Sequence, residues 1–116
     1  MNFIFDTSIY IERASSKIFL NHSLEGTILI PRVILEELEQ LAYEGFEIGV
    51  IGLEEMKSVQ EYARNNDIQV RFIGDGLKFP RRFYNFEKNK INSIIRDLAY
   101  NESAILFTAN RVQEVS

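Results

Sequence analysis

Cysteine is absent from the 116 residues and histidine occurs once, as His22. Without thiols there is neither a disulfide framework nor a thiolate metal site, so the small secreted scaffolds drop out and a cytoplasmic setting is expected. A lone histidine with no sulfur near it does not make a zinc site, and His22 reads as a surface turn residue. Long apolar runs are also missing. The stretch from Met1 to Tyr10 is broken by Asp6 and has no basic leader, long apolar centre or small-residue cleavage site, so it is not a signal peptide. No run approaches the length of a membrane span, and no membrane partner is expected. There is no phosphate loop of the G-x-x-x-x-G-K type, and Gly74-Asp75-Gly76 reads as a turn. Any ATPase activity would have to come from sequence outside this chain.

What is present suffices for one domain, residues 1 to 116, because 46% apolar content can bury a core without covalent staples. Net charge is −4, but it is unevenly distributed. Residues 36 to 61 carry eight glutamates against Lys57 alone, a local balance of −7. Residues 77 to 90 carry Lys78, Arg81, Arg82, Lys88 and Lys90 against Glu87, a local balance of +4. An acidic side and a basic side are expected.

Asn2 to Phe5 reads as a buried strand that stops at a helix N-cap signal, Asp6-Thr7-Ser8, with a helix at about 7 to 13. Ser15 to Glu25 reads as helix then turn. Thr27 to Ile30 is a second strand, with Pro31 in the first turn of a helix over 32 to 43. Gly45, Gly49 and Gly52 predict an interruption, followed by a helix over 53 to 64 and a strand over 68 to 73. Residues 74 to 80 read as loop, 86 to 101 as helix and 104 to 108 as a fourth strand. Strands alternating with helices predict an α/β fold around a mostly parallel sheet. The chain ends eight residues after Thr108. That leaves the last strand short of a following helix, so a truncated domain or the front of a longer protein is expected.

Ligands of open parallel sheets bind outside the carboxyl ends of the strands, where Asp6 and Asn110 fall here. Asp6 reads equally as a helix N-cap. On the helix of 32 to 43, successive residues turn by about 100°, which puts Ile34, Leu38 and Leu41 on one face with Glu37 beside them. Glu36, Glu39 and Gln40 are expected to point away. A carboxylate beside a core stripe is costly to desolvate unless it is paired or holds a cation, which separates Glu37 from its neighbours. On the helix of 86 to 101, Ile91, Ile94, Ile95 and Leu98 share a face, with Asn92 at its edge and Asp97 elsewhere.

At these positions the sequence resembles the PIN domain over nearly its whole length. The matching pieces are FIFDTSIYIE at 3 to 12, ILIPRVILEELEQLA at 28 to 42, INSIIRDLA at 91 to 99 and ILFTANRVQ at 105 to 113. The segment GFEIGVIGLEEMKSV at 45 to 59 is similar to the N-terminal domain of archaeal PIN-domain ATPases that also carry a nucleic-acid-binding module. The resemblance implies a three-layer α/β/α sandwich in which four acids hold one or two Mg²⁺ or Mn²⁺ ions for hydrolysis of single-stranded RNA. Carried over, the four positions are Asp6, Glu37, Asn92 and Asn110, with Thr7, Ser8 and Thr108 as supporting hydroxyls. Two of the four acids therefore read as asparagine.

Hard divalent cations favour charged oxygen ligands. An asparagine offers one carbonyl oxygen and no charge, so the cluster falls from a formal −4 to −2. If about 1.4 kcal/mol survives desolvation for each lost carboxylate, each change weakens metal binding about tenfold. Metal binding and nuclease activity are expected to be weak or absent.

The segment 77 to 90 interleaves Phe79, Phe83, Tyr84 and Phe86 with its basic residues, a composition suited to stacking bases while tracking phosphates, although such aromatics also pack under loops. Lys78, Arg81, Arg82, Phe83, Lys88 and Lys90 are the candidate RNA contacts. Three functions remain: a weakened PIN-type endoribonuclease domain joined to an ATPase module, a catalytically silent scaffold for RNA or homo-oligomer contacts, and a toxin of the PIN kind with an antitoxin partner.

Overall fold

The computed structural model describes residues 1–76 and 88–109. In chain order the elements are β1 (Asn2–Phe5), α1 (Thr7–Ile11), α2 (Ser15–Asn21), β2 (Thr27–Pro31), α3 (Arg32–Tyr43), α4 (Glu47–Asn65), β3 (Gln69–Ile73), α5 (Lys88–Asn101) and β4 (Ala104–Phe107). The four strands form one parallel sheet in the order β3-β2-β1-β4. β1 and β2 occupy the centre and are buried on both faces, which is why their sequences are unbroken apolar runs. Edge strand β3 alternates instead.

The strand order decides the layers. The steps from β1 to β2 and from β2 to β3 run in one direction, so right-handed crossovers put α1 to α4 on one face of the sheet. The step from β3 to β4 runs back across two strands and puts α5 on the other face. The result is the expected three-layer α/β/α sandwich. Its core joins Ile4 and Phe5 of β1, Ile28 to Ile30 of β2, Val33, Ile34 and Leu38 of α3, Met56 and Val59 of α4, and Ile91 and Ile95 of α5. Each fully buried side chain of this size contributes roughly 1.5–3 kcal/mol. Among the described residues no helix is long and apolar enough to cross a membrane.

Two local expectations are corrected. Pro31 ends β2 and is the N-cap of α3 rather than a first-turn residue. More important, Gly49 and Gly52 do not interrupt the chain: α4 runs unbroken from Glu47, with both glycines buried. A Cβ at Gly49 would lie 2.3 Å from the backbone nitrogen of Ala42, and one at Gly52 would lie 2.4 Å from Leu38 Cδ2. These glycines let α3 and α4 touch backbone to backbone. Gly45 has the punctuating role predicted for all three. It takes φ +88° after α3, its N–H bonds to the Ala42 carbonyl and the N–H of Phe46 reaches Leu41, a glycine-closed helix end.

Behind α1, Tyr10 is fully buried and its hydroxyl has no partner among the described residues. Burial, then the charges of Glu55 and Asp6, raise its pKa above the ordinary value of 10.0. Only the unfolded chain releases this proton just above pH 10, so the native state holds more protons there and stability falls as pH rises. Tyr10→Phe is expected to raise stability by about 1 kcal/mol at neutral pH, since it removes an unsatisfied buried hydroxyl. It should also delay alkaline unfolding. Denaturant melts at neutral pH and above pH 10 check both effects.

Candidate functional site

The ends of β1 and β4 are level, because Phe5 pairs with Phe107 and the Asp6 N–H extends the ladder to the Phe107 carbonyl at 3.0 Å. The following residues, Asp6 and Thr108, therefore leave the sheet side by side. They do so where the strand order reverses, between β1 and β4, which is the place where an open α/β sheet forms a crevice.

Asp6 leaves β1 in extended backbone and caps α1, accepting the Ile9 N–H at 3.3 Å. The same carboxylate oxygen, Oδ1, accepts the Ser8 hydroxyl at 2.5 Å. The second oxygen has no partner among the described residues. The N-cap and site readings of Asp6 are thus compatible, with one oxygen serving the helix and the other left for a ligand. Ser8 Oγ also accepts the Ala109 N–H at 2.9 Å and lies 3.4 Å from Thr108 Oγ1, so one hydroxyl joins the two sides of the crevice.

Glu37 reaches the same place from α3. It is only 6% exposed, and its Oε1 accepts the Thr7 hydroxyl at 2.6 Å. Residues 6 to 8 therefore bind Glu37 on one side and the end of β4 on the other. A buried carboxylate in this setting is held by hydrogen-bond donors, one of which is Thr7.

The other candidates are placed less centrally. Asn92 is exposed on the second turn of α5 and joins none of these bonds. The crossover from β3 puts the start of α5 at the same end of the sheet as the crevice. Asn110, Lys78, Arg81, Arg82 and Phe83 lie outside the described residues. Lys88 opens α5 and Lys90 is exposed on it. His22 is exposed as expected, with its ring edge-on to Phe107 at 5.3 Å. Among the described residues no three His, Cys, Asp or Glu side chains are grouped to hold a metal. Asp6 and Glu37 are the acids that converge.

Gln40 is a further correction. It was expected to point away but is buried, its Nε2 donating to Glu44 Oε1 at 3.0 Å and its Oε1 without a partner among the described residues. The single-stripe projection failed because α3 is covered by the sheet on one side and by α4 on another. Glu36, also expected outward, is half-buried: a Cβ on Gly76 would lie 2.0 Å from its Oε1. Together with the bond from Arg32 Nη1 to the Gly74 carbonyl at 2.7 Å, it ties the loop after β3 to α3. The small residues of Gly-Asp-Gly were the available signal for this close approach.

No family model matches the chain. It is 32% identical over 111 residues to an uncharacterised KH and PIN-domain-containing protein of Methanocaldococcus jannaschii, covering 93% of this chain and 17% of that protein. It is 27% identical over 99 residues to the Holliday junction branch migration ATPase PINA of Sulfolobus acidocaldarius, covering 85% of this chain and 18% of the ATPase. The chain thus spans under a fifth of either relative's length. Among solved structures, a domain of a functionally unknown protein from Methanocaldococcus jannaschii matches with a TM-score of 0.83 and 29% identity, over 97% of this chain and 80% of that one.

Proposed function

The chain belongs to the PIN-domain family, and on that premise we propose that it is a metal-dependent endoribonuclease domain for single-stranded RNA whose activity is weak or absent. The observation that carries this reading is the meeting of Asp6 and Glu37, from β1 and α3, at the switch point of the sheet, each held by a hydroxyl of the intervening turn.

The donor set suits Mg²⁺ or Mn²⁺, since two carboxylates and nearby hydroxyls are all hard oxygen ligands. Asp6 Oδ2 and Glu37 would hold the ion, with Asn92 and Asn110 as neutral donors. When bound, the ion would activate the attacking water and steady the leaving oxygen. The chain's own part is to fix the two carboxylates before substrate arrives: Ser8 and the helix start orient Asp6, and Thr7 orients Glu37. Ser8 and Thr108 then set the spacing across the crevice. With two carboxylates in place of four, the cation is held weakly and catalysis suffers with it.

Cleavage of single-stranded RNA in Mn²⁺, by this chain and by the Asn92→Asp, Asn110→Asp variant, tests the reading. Slow or no cleavage by the first and clear cleavage by the second is expected. Failure of both would leave the second reading, a silent scaffold for RNA binding or assembly, which the exposed position of Asn92 and the two-acid crevice favour. The names of the relatives, one carrying a KH domain and one an ATPase, support an ATPase or nucleic-acid-binding module in the same longer chain.

The RNA is proposed to enter over the basic segment. Arg81→Glu with Arg82→Glu should weaken single-stranded RNA binding and lower its salt slope by about 2–3, from two cations lost and two anions gained. Affinities at two salt concentrations check this, and an unchanged slope would remove the segment from the interface.

A further inference from the structure

A groove of about 440 Å³ opens between α2 and α4, and it shares no residue with the crevice described above. Phe19 and Tyr62 stack face to face in it, with centroids 3.9 Å apart and planes 15° from parallel. Tyr62 is 37% exposed, so the ring face turned from Phe19 is open, and Leu20 beside it is 85% exposed. The polar end of the groove is Glu55. One of its oxygens, Oε2, takes both the N–H of Ser15, at 3.2 Å, and the Ser15 hydroxyl. Its other oxygen has no partner among the described residues.

Charge narrows what can enter. Glu55 belongs to the band of residues 36 to 61 with its balance of −7, and neither Lys17 nor Lys57 lines the groove or pairs with Glu55. A phosphate-bearing polymer is repelled here. The fitting ligand is cationic, has a flat face for Tyr62 and several N–H donors for a carboxylate and the serine hydroxyls, and brings an apolar neighbour for Leu20. A guanidinium meets all of these conditions, whereas an ammonium is a compact point charge with no face to stack.

We propose that the α2–α4 groove receives an arginine side chain of a partner polypeptide, stacked on Tyr62 and paired with the free oxygen of Glu55. Ser58, exposed on α4 and lining the groove, would add a hydroxyl acceptor, and Leu20 would cover the residue next to the arginine.

Amide NMR titration of the ¹⁵N-labelled chain tests this with a blocked peptide of sequence glycine-leucine-arginine-leucine-glycine, its lysine and glutamate analogues, and a short oligouridylate. The arginine peptide is expected to shift the amides of Ser16, Leu20, Ser58 and Tyr62, the lysine analogue to bind several-fold more weakly, and the glutamate analogue not at all. Tyr62→Ala and Ser58→Arg, both at exposed positions, should each weaken arginine-peptide binding by roughly tenfold, the second by placing its own guanidinium in the groove. Unchanged amide positions elsewhere would show that these variants fold. The proposal fails if the arginine peptide shifts none of these signals, if the glutamate analogue shifts them equally, if binding survives both substitutions, or if the oligouridylate moves them instead.

Discussion

Restoring both missing carboxylates, Asn92→Asp with Asn110→Asp, raises the affinity of the chain for Mn²⁺ by roughly a hundredfold, from about tenfold per added charge. The figure already allows for desolvation cancelling most of the attraction, which between unit charges about 4 Å apart is about 4 kcal/mol at an effective dielectric of 20. Isothermal calorimetry on the chain, the two single variants and the double variant measures the gain. Equal affinities in all four proteins would mean that these positions do not face the ion. The metal-free double variant should in turn be less stable than the parent, because added like charges around Asp6 and Glu37 repel when no cation is present. Stability that falls without Mn²⁺ and recovers with it is the combined signature.

The second large effect is on the fold. Gly49→Ala is expected to destabilise the chain by about 2 kcal/mol or more, although alanine in a helix interior is ordinarily better than glycine by about 1 kcal/mol. The sign reverses because the new methyl would lie 2.3 Å from the Ala42 nitrogen and 2.7 Å from the Leu38 carbonyl oxygen, both backbone atoms of α3. Backbone cannot rotate aside, so the two helices must separate. Gly52→Ala meets the Leu38 side chain instead and should cost less. Gly45→Ala has open space but a φ of +88°, and should cost about 1 kcal/mol. Urea unfolding of the three variants should rank them with Gly49→Ala least stable. A stabilising Gly49→Ala would contradict the close packing of α3 on α4.

Much of the architecture was legible because local and global signals agreed. β1 and β2 are short apolar runs ending at capping residues, and α3 was bounded correctly at Arg32 and Tyr43. The helices α2 and α5 and strands β3 and β4 also fell within a residue or two of expectation. What the sequence hid was tertiary. The same residue type closes a helix at Gly45 and allows helix contact at Gly49, and nothing local separates the two uses. Gln40 was misplaced for a related reason, since a helix packed on two sides buries a wider arc than one stripe.

The site was legible in part. Asp6 and Glu37 could be singled out from the end of a strand and the margin of a core stripe, and the structure joins them through Thr7. The sequence could not show that Ser8 binds Asp6 on one side and the end of β4 on the other, because that link spans 101 positions, from Ser8 to Ala109. Asn92 and Asn110 came from the family resemblance, and neither is part of the hydrogen-bonded centre of the described structure.

The central claim is that the crevice of Asp6 and Glu37 is where a divalent cation binds. Paramagnetic broadening of amide NMR signals by substoichiometric Mn²⁺ tests it most directly, since it locates the ion whether or not the chain cuts RNA. Selective broadening of residues 6 to 9 and of Ala109, abolished by Asp6→Asn, is the predicted result. Broadening confined to the glutamates of α4, or broadening near Asp6 that persists in Asp6→Asn, would contradict it.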